Sequence, residues 1–162
     1  MQFEFIQPER VRALWPAIRA RIERVCRRSP DGWLPEDVYH ELQTSKAQLF
    51  VVWDDGALRA FCVLKFATEE YTQQPHLWIW AAEAMDGAVG AVEFGMEQIC
   101  ELARKSGLPS VRFASSRMGW ARRYPIKTII YEVDPWAADR EPKPPRARAR
   151  LRLGCKTFSG ST

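Results

Sequence analysis

The sequence of 162 residues predicts an α/β fold that is built on a mixed, mostly antiparallel sheet with helices on both faces. Two observations support this prediction. Apolar runs over 48–54 and 58–67 flank an Asp-Gly dipeptide at 55–56, which is typical of a β-hairpin turn. Farther along, an amphipathic helix connects two apolar strands, 76–83 and 108–114, and a helical crossover of this kind joins parallel strands.

The remaining elements follow from the same periodicities. Apolar residues at helical spacing predict two helices before the hairpin, and the later segments predict a short helix or loop and a last strand with β-branched alternation. These elements span 8–28, 34–45, 115–124 and 126–133. We expect Pro16 to kink or divide the first helix, because proline removes a hydrogen bond in a helix interior.

Charge divides the chain into a domain over 1–134 and a tail over 135–162. The tail carries seven basic and two acidic residues, whereas the whole chain has 24 basic and 20 acidic residues. The domain is therefore close to neutral, and the basic character belongs to the Pro/Arg-rich tail.

Composition also excludes some classes of protein. The four cysteines form no Cys-x-x-Cys pair and the two histidines have no partner at ligand spacing, so we expect no metal site. No run approaches the ~18 apolar residues of a membrane span, and the N-terminal residues lack the features of a signal peptide. We therefore expect a soluble protein that is made in a cytoplasm and has no membrane partner.

The segment between the strand 76–83 and the following helix has the layout of an anion-binding loop. Residues 85–90 are small and include two glycines, and the unpaired N–H groups of a helix start point outward. The same segment contains Asp86, and no basic residue occurs from Ala81 to Ile99. The layout indicates a binding site, but the residue types argue against one.

The order of these elements resembles the GNAT superfamily of acetyl-CoA-dependent N-acyltransferases over residues 1–134. The resemblance implies that strand 76–83 splays from the next parallel strand, that acyl-CoA lies in the gap, and that an Arg/Gln-x-x-Gly-x-Gly/Ala loop holds its pyrophosphate. Counting back from Gly107 aligns residues 87–92 with this motif. Gly90 matches the middle glycine, whereas Gly87 replaces the Arg or Gln and Val92 replaces the last Gly or Ala.

This erosion of the loop predicts weak binding of the cofactor. A hydrogen bond to a charged group is worth about 1.5–3 kcal/mol, and a branched side chain obstructs close approach of a ligand to the backbone. Together the two departures predict a loss of roughly a hundredfold or more in affinity.

The resemblance also implies two proton-transfer roles, which are a base for the amine and an acid for the leaving thiolate. Glu83, at the end of the central strand, matches the base by location, and Tyr124, after the penultimate strand, matches the acid. The alternatives are a solvated carboxylate at a strand end and a tyrosine that packs against the domain. The chain continues Tyr124-Pro-Ile, where family members commonly continue into Gly-Phe.

The tail contains a segment, 146–153, in which arginine alternates strictly with alanine or leucine. A period of two places the arginines on one side of a strand and the apolar residues on the other. The predicted partner-binding residues are Arg146, Arg148, Arg150, Leu151, Arg152, Leu153 and Phe158. We expect them to bind other proteins by β-augmentation, with nucleic acid as the competing ligand.

Three functional hypotheses follow. The leading one is a non-catalytic GNAT-like structural or interaction protein, of the degenerate kind found in tailed-bacteriophage proteins, which needs no cofactor and docks into a virion through its tail. The second is an acetyl-CoA-dependent N-acyltransferase that uses Glu83, Tyr124 and the loop 87–92. The third is an accessory protein that binds nucleic acid.

Overall fold

The computed structural model of the chain describes residues 1–29, 32–115 and 120–125. The chain divides into two compact units, Met1–Arg123 and Tyr124–Thr162. The predicted last strand over 126–133 and the predicted tail over 135–162 lie outside the described residues. The predicted domain boundary at residue 134 therefore stays a prediction.

In the described part of the first unit, five strands and three α-helices follow one another in the order β1, α1, α2, β2, β3, β4, α3, β5. Their bounds are β1 Gln2–Ile6, α1 Pro8–Cys26, α2 Pro35–Gln43, β2 Gln48–Asp54, β3 Ala57–Thr68, β4 Pro75–Ala84, α3 Ala91–Lys105 and β5 Val111–Phe113, followed by a 3-10 turn at Trp120–Arg122. The strands form one sheet in the order β1-β2-β3-β4-β5. Neighbouring strands are antiparallel except β4 and β5, which are parallel. The predicted fold class is confirmed.

Strand β1 was not predicted, although Gln2 and Glu4 alternate with Phe3 and Phe5 in the pattern of a strand. Helix α1 continues through Pro16, so the expected division of the helix at this proline is wrong, whereas a kink there stays a prediction. The burial of Ile18 and Ile22 stabilises the second half of the helix.

The core has one layer on each face of the sheet. On one face α1 and α2 pack against the sheet, and the buried side chains there include Ile18, Ile22, Val38, Leu42, Val51, Phe61 and Val63. On the other face, α3 packs one row of residues, spaced four apart in sequence, against the strands. These residues are Ala91, Gly95, Ile99 and Ala103. The small residues let the start of α3 lie close to the sheet, where a Cβ atom on Gly95 would be 3.7 Å from Val52 Cγ2.

Strand β4 has two irregularities that position the candidate site. Val63 pairs with Ala81 and Leu64 pairs with Ile79, so Trp80 is an extra residue that bulges from the ladder with β3. On its other edge, β4 pairs with β5 only from Leu77 to Ile79. In the described part of the chain, β4 thus continues for five residues beyond Ile79 with no strand on this edge.

Candidate functional site

The loop after β4 has the backbone geometry of an anion-binding loop. Gly87 has φ +73° and Gly90 has φ +75°, a left-handed conformation that glycine adopts without steric strain. Gly90 is the N-cap of α3. The hydrogen bonds among the described residues leave the amides of Gly90, Val92 and Glu93 without an acceptor. Three N–H groups at the positive end of a 15-residue helix can therefore bind an oxyanion.

An arginine from α1 supplies a positive charge that the loop sequence lacks. Arg21 donates from Nη1 to the carbonyl oxygen of Ala84 at 3.1 Å and from Nη2 to Oδ2 of Asp86 at 2.9 Å. The Arg21 side chain is only 16% exposed, whereas that of Asp86 is 91% exposed. The hydrogen bond from Arg21 lowers the pKa of Asp86, so this carboxylate stays charged to a lower pH than an ordinary aspartate.

A second arginine reaches the start of α3 from the region after the 3-10 turn. Arg123 donates from Nη1 to Oε1 of Glu93 at 2.6 Å. The two acids near the helix start, Asp86 and Glu93, are thus each paired with an arginine that is distant in sequence. The charge around the loop is therefore less negative, and more favourable to an anion, than the loop sequence alone indicates.

Glu83, the predicted base, lies close to Arg24 of α1 and to Arg28, which follows this helix. Its Oε2 atom is 3.4 Å from Arg24 Nη2, and its Oε1 atom is 3.9 Å from Arg28 Nη1. Its side chain is 18% exposed, so the carboxylate lies mostly beneath the two guanidinium groups. Glu83 is therefore part of an ionic cluster at the end of β4 rather than a solvated strand end.

Aromatic side chains support this end of β4. The ring of Trp80 packs edge-on against the buried Trp33 with centroids 5.6 Å apart. Lys65 Nζ lies 4.2 Å from the centroid of the Trp80 ring, and it also pairs with Glu41 of α2. The bulged residue is therefore held in the packed layer between the sheet and α1–α2, close to the strand end that carries Glu83.

The other predicted site residues are only partly described. Tyr124, the predicted acid, begins the second unit, of which only Tyr124 and Pro125 are described. Its role as the acid stays a prediction. The partner-binding residues predicted in the tail lie outside the described residues.

In 1–29, 32–115 and 120–125, no group of three or more His, Cys, Asp or Glu side chains could hold a metal ion. None of the helices in these ranges is both long enough and apolar enough to span a membrane.

Sequence reasoning missed three arginines at the site because each is distant in sequence from the element it contacts. They are Arg21, Arg24 and Arg28. A signal was present for them, since the second half of α1 and the turn after it contain five arginines within ten residues. A helix in the α1–α2 layer presents such a row to the end of a neighbouring strand.

No protein-family model matches the chain, and no curated protein matches it. Solved structures do match. A ribosomal-protein-alanine N-acetyltransferase from Brucella melitensis biovar Abortus 2308 has a TM-score of 0.60 at 13% identity, over 83% of this chain and 99% of that protein. A protein named "probable acetyltransferase" has a TM-score of 0.60 at 13% identity over the full length of both chains.

A third similar structure is an aminoglycoside acetyltransferase from an uncultured soil metagenomic sample, in complex with sisomicin. It has a TM-score of 0.58 at 11% identity and covers 82% of this chain and 93% of that protein. At this level of identity the likeness establishes the fold. The chain has the fold of GNAT N-acetyltransferases, as its order of elements predicted.

Proposed function

We propose that this protein is an acyl-CoA-dependent N-acyltransferase. The observation that carries the proposal is the end of the β4–β5 pairing at Ile79, beyond which β4, among the described residues, has an open edge that leads to the start of α3. An acyl-CoA substrate fits this arrangement, with its pantetheine arm along the open edge of β4 and its pyrophosphate on the amides of Gly90, Val92 and Glu93. The acetyltransferase structures that share the fold support the proposal.

The proposed reaction is an acyl transfer. The nitrogen of an amine attacks the thioester carbonyl carbon, so a C–N bond forms and the C–S bond breaks. The electron pair of the C–S bond leaves with the coenzyme A thiolate. The amine loses a proton and the thiolate gains one, and Glu83 and Tyr124 remain our candidates for these two transfers.

The eroded loop is the main argument against this proposal, and the ion pairs at the site weaken that argument. Arg21 and Arg123 lie beside the two acids near the start of α3, at 2.9 Å and 2.6 Å. Pyrophosphate can share these guanidinium groups, because each arginine has more donors than its one carboxylate uses. The site then needs no arginine within the loop itself.

The non-catalytic hypothesis receives less support than the sequence alone indicated. The three similar structures described above are named as acetyltransferases, one of them as a probable one, and nothing in the structure or the comparisons supports a bacteriophage origin or a place in a virion. Binding of other proteins or of nucleic acid by the tail remains a separate proposal. Deletion of residues 137–162 followed by co-purification tests it, and unchanged partners after the deletion would contradict it.

Calorimetry with acetyl-CoA tests the proposed function. We expect the full chain to bind acetyl-CoA with a Kd below about 1 mM, which corresponds to at least ~4 kcal/mol. Absence of both binding heat and thermal stabilisation at millimolar acetyl-CoA would refute the proposal.

A pair of glycine variants assigns the binding to the loop. Gly90→Ala adds a Cβ atom at φ +75° beside the amides, and it should weaken acetyl-CoA binding by about tenfold or more. Gly107→Ala is the matched control, because it carries similar backbone strain at φ +67° at the opposite end of α3, with open space around it. Equal loss of affinity in the two variants would show that the loop does not hold the ligand.

A further inference from the structure

We infer that the amine acceptor carries an oxyanion, a carboxylate or a phosphate, that binds to Arg24 and Arg28 beside Glu83. The inference rests on the proposed function and names the chemical class of its second substrate. Its basis is an excess of positive charge at one end of β4, which the described residues do not neutralise.

The arginines from Arg19 to Arg28, in the second half of α1 and directly after it, differ in how closely they are paired. Arg19, Arg21 and Arg27 lie 2.5–2.9 Å from carboxylates of their own, on Glu36, Asp86 and Glu23. Arg24 and Arg28 instead share the single carboxylate of Glu83, at 3.4 Å and 3.9 Å. A charge-assisted hydrogen bond between arginine and a carboxylate is about 2.7–2.9 Å long, so both guanidinium groups retain unused donors.

Exposure indicates which groups a ligand meets first. The side chains of Arg24 and Arg28 are 42% and 53% exposed, whereas that of Glu83 is 18% exposed. An approaching acceptor therefore meets two guanidinium groups with the carboxylate of Glu83 behind them, while the exposed Asp86, which is paired with Arg21, also interacts with Arg24. Arginine presents its donors in a planar fork that matches carboxylate and phosphate oxygens.

The position of this cluster is appropriate for an acceptor. Glu83 is the penultimate residue of β4 and lies on the part of this strand that does not pair with β5. In the proposed reaction the acyl group lies along this edge, so the amine must reach the same strand end. An oxyanion on Arg24 and Arg28 brings a nearby amine to Glu83, whose negative charge attracts an ammonium group.

The same charges should disfavour a polycation. Sisomicin, which the similar aminoglycoside acetyltransferase binds, is a polyamine, and like charges repel at an interface. The acceptor class of this chain should therefore differ from that of the aminoglycoside enzyme despite the shared fold.

Matched amines test the inference through release of coenzyme A from acetyl-CoA. Glycine and glycinamide differ by one carboxylate, and glycylglycine extends the series to peptides. Phosphoethanolamine and ethanolamine form the phosphate pair, and sisomicin is the polycation. We expect kcat/KM to be at least about tenfold higher for the oxyanion member of at least one pair, as one charged hydrogen bond provides.

Variants assign the preference to the two arginines. In the double variant R24Q/R28Q, the KM for the preferred oxyanion acceptor should rise about tenfold or more while the KM for acetyl-CoA stays unchanged. R27Q is the matched control, because Arg27 is 72% exposed on the same turn region and pairs with Glu23. R28E provides a second readout, since it should shift the preference toward sisomicin.

The outcomes separate the two proposals. Equal use of charged and uncharged partners, preference for sisomicin, or an unchanged KM in R24Q/R28Q would overturn the inference and leave the acyltransferase proposal intact. Binding of acetyl-CoA without coenzyme A release from any of these amines would also overturn it. Failure to bind acetyl-CoA at all would refute the proposed function, and the inference with it.

Discussion

The two halves of strand β4 differ in what surrounds them. The first half, up to Ile79, pairs with a strand on each edge, and the side chains of His76, Leu77 and Ile79 are buried. The second half, from Trp80 to Ala84, pairs only with β3 among the described strands, and arginines of α1 contact its end.

This difference separates stability from binding within one strand. A strand with a ladder on both edges has no backbone groups left for a ligand, and its side chains fill the core. The half with an open edge retains backbone groups and charged neighbours for binding. We therefore expect substitutions in the first half to change the free energy of unfolding, and those beyond the second half to change ligand affinity.

The largest expected effect is on stability, from Leu77→Ala in the first half. Leu77 is fully buried between the sheet and α3, so the substitution should lower the free energy of unfolding by about 2–5 kcal/mol. Urea denaturation measures this, with Leu34→Ala as the control because Leu34 is 57% exposed. A loss below 1 kcal/mol would contradict the assignment of this half to the core.

A smaller effect should follow from Val92→Ala at the start of α3. Removal of the branched side chain opens the approach to the helix amides, and acetyl-CoA should bind about three- to tenfold more tightly. Val89→Ala removes the same atoms from a side chain that is 88% exposed in the same loop, and it should leave the affinity unchanged. Weaker binding in Val92→Ala would mean that the valine contacts the ligand favourably.

Asp86→Asn should produce a small, pH-dependent loss of stability. The hydrogen bond from Arg21 lowers the pKa of Asp86 in the folded protein below its ordinary value of 3.8. A lowered pKa stabilises the fold above this value, and the contribution is lost as the pH falls through the folded-state pKa. The variant should thus melt slightly below the wild type at pH 7 and together with it near pH 2.

Melting curves at both pH values check this expectation. Asp55→Asn removes a carboxylate from the hairpin turn and serves as the control. A deficit of Asp86→Asn that persists unchanged at low pH would exclude the ion pair as its cause.

The smallest effect is expected at His76 in the first half of β4. Its side chain is 7% exposed, and its buried Nδ1 atom has no hydrogen-bond partner among the described residues. Replacement of an unsatisfied polar group by an apolar one costs little, so His76→Leu should change the free energy of unfolding by less than about 1 kcal/mol. Denaturation of His76→Leu beside the exposed His40→Leu measures it, and a loss above 2 kcal/mol would indicate a polar role for the imidazole.

Local patterns predicted most of the fold. The Asp-Gly turn fixed the β2–β3 hairpin, with Asp55 at φ +49° and Gly56 at φ +73°, and helical spacing predicted all three helices. Strand β1 has a clear alternation over only five residues, and such a short pattern is hard to separate from a disordered start.

The site was less predictable because the charge around it depends on residues that are close in the fold but distant in sequence. The loop 85–90 was correctly identified as a helix start with glycines, since backbone geometry depends on local residues. Its electrostatics depend on Arg21, which is 65 residues from Asp86, and on Arg123, which is 30 residues from Glu93. The residue pattern of the loop itself therefore does not predict these two arginine partners.

The bulge at Trp80 determines which helix layer Glu83 meets. Side chains of a regular strand alternate between the two faces of a sheet, and one inserted residue reverses the alternation for every residue that follows. Trp80 and Ala81 both face the α1–α2 layer, and Glu83 follows on that face while Ala84 packs toward α3. In a regular ladder without the bulge, the same sequence would pair Glu83 with Ala60 instead of Phe61, and the carboxylate would face α3 rather than the arginines.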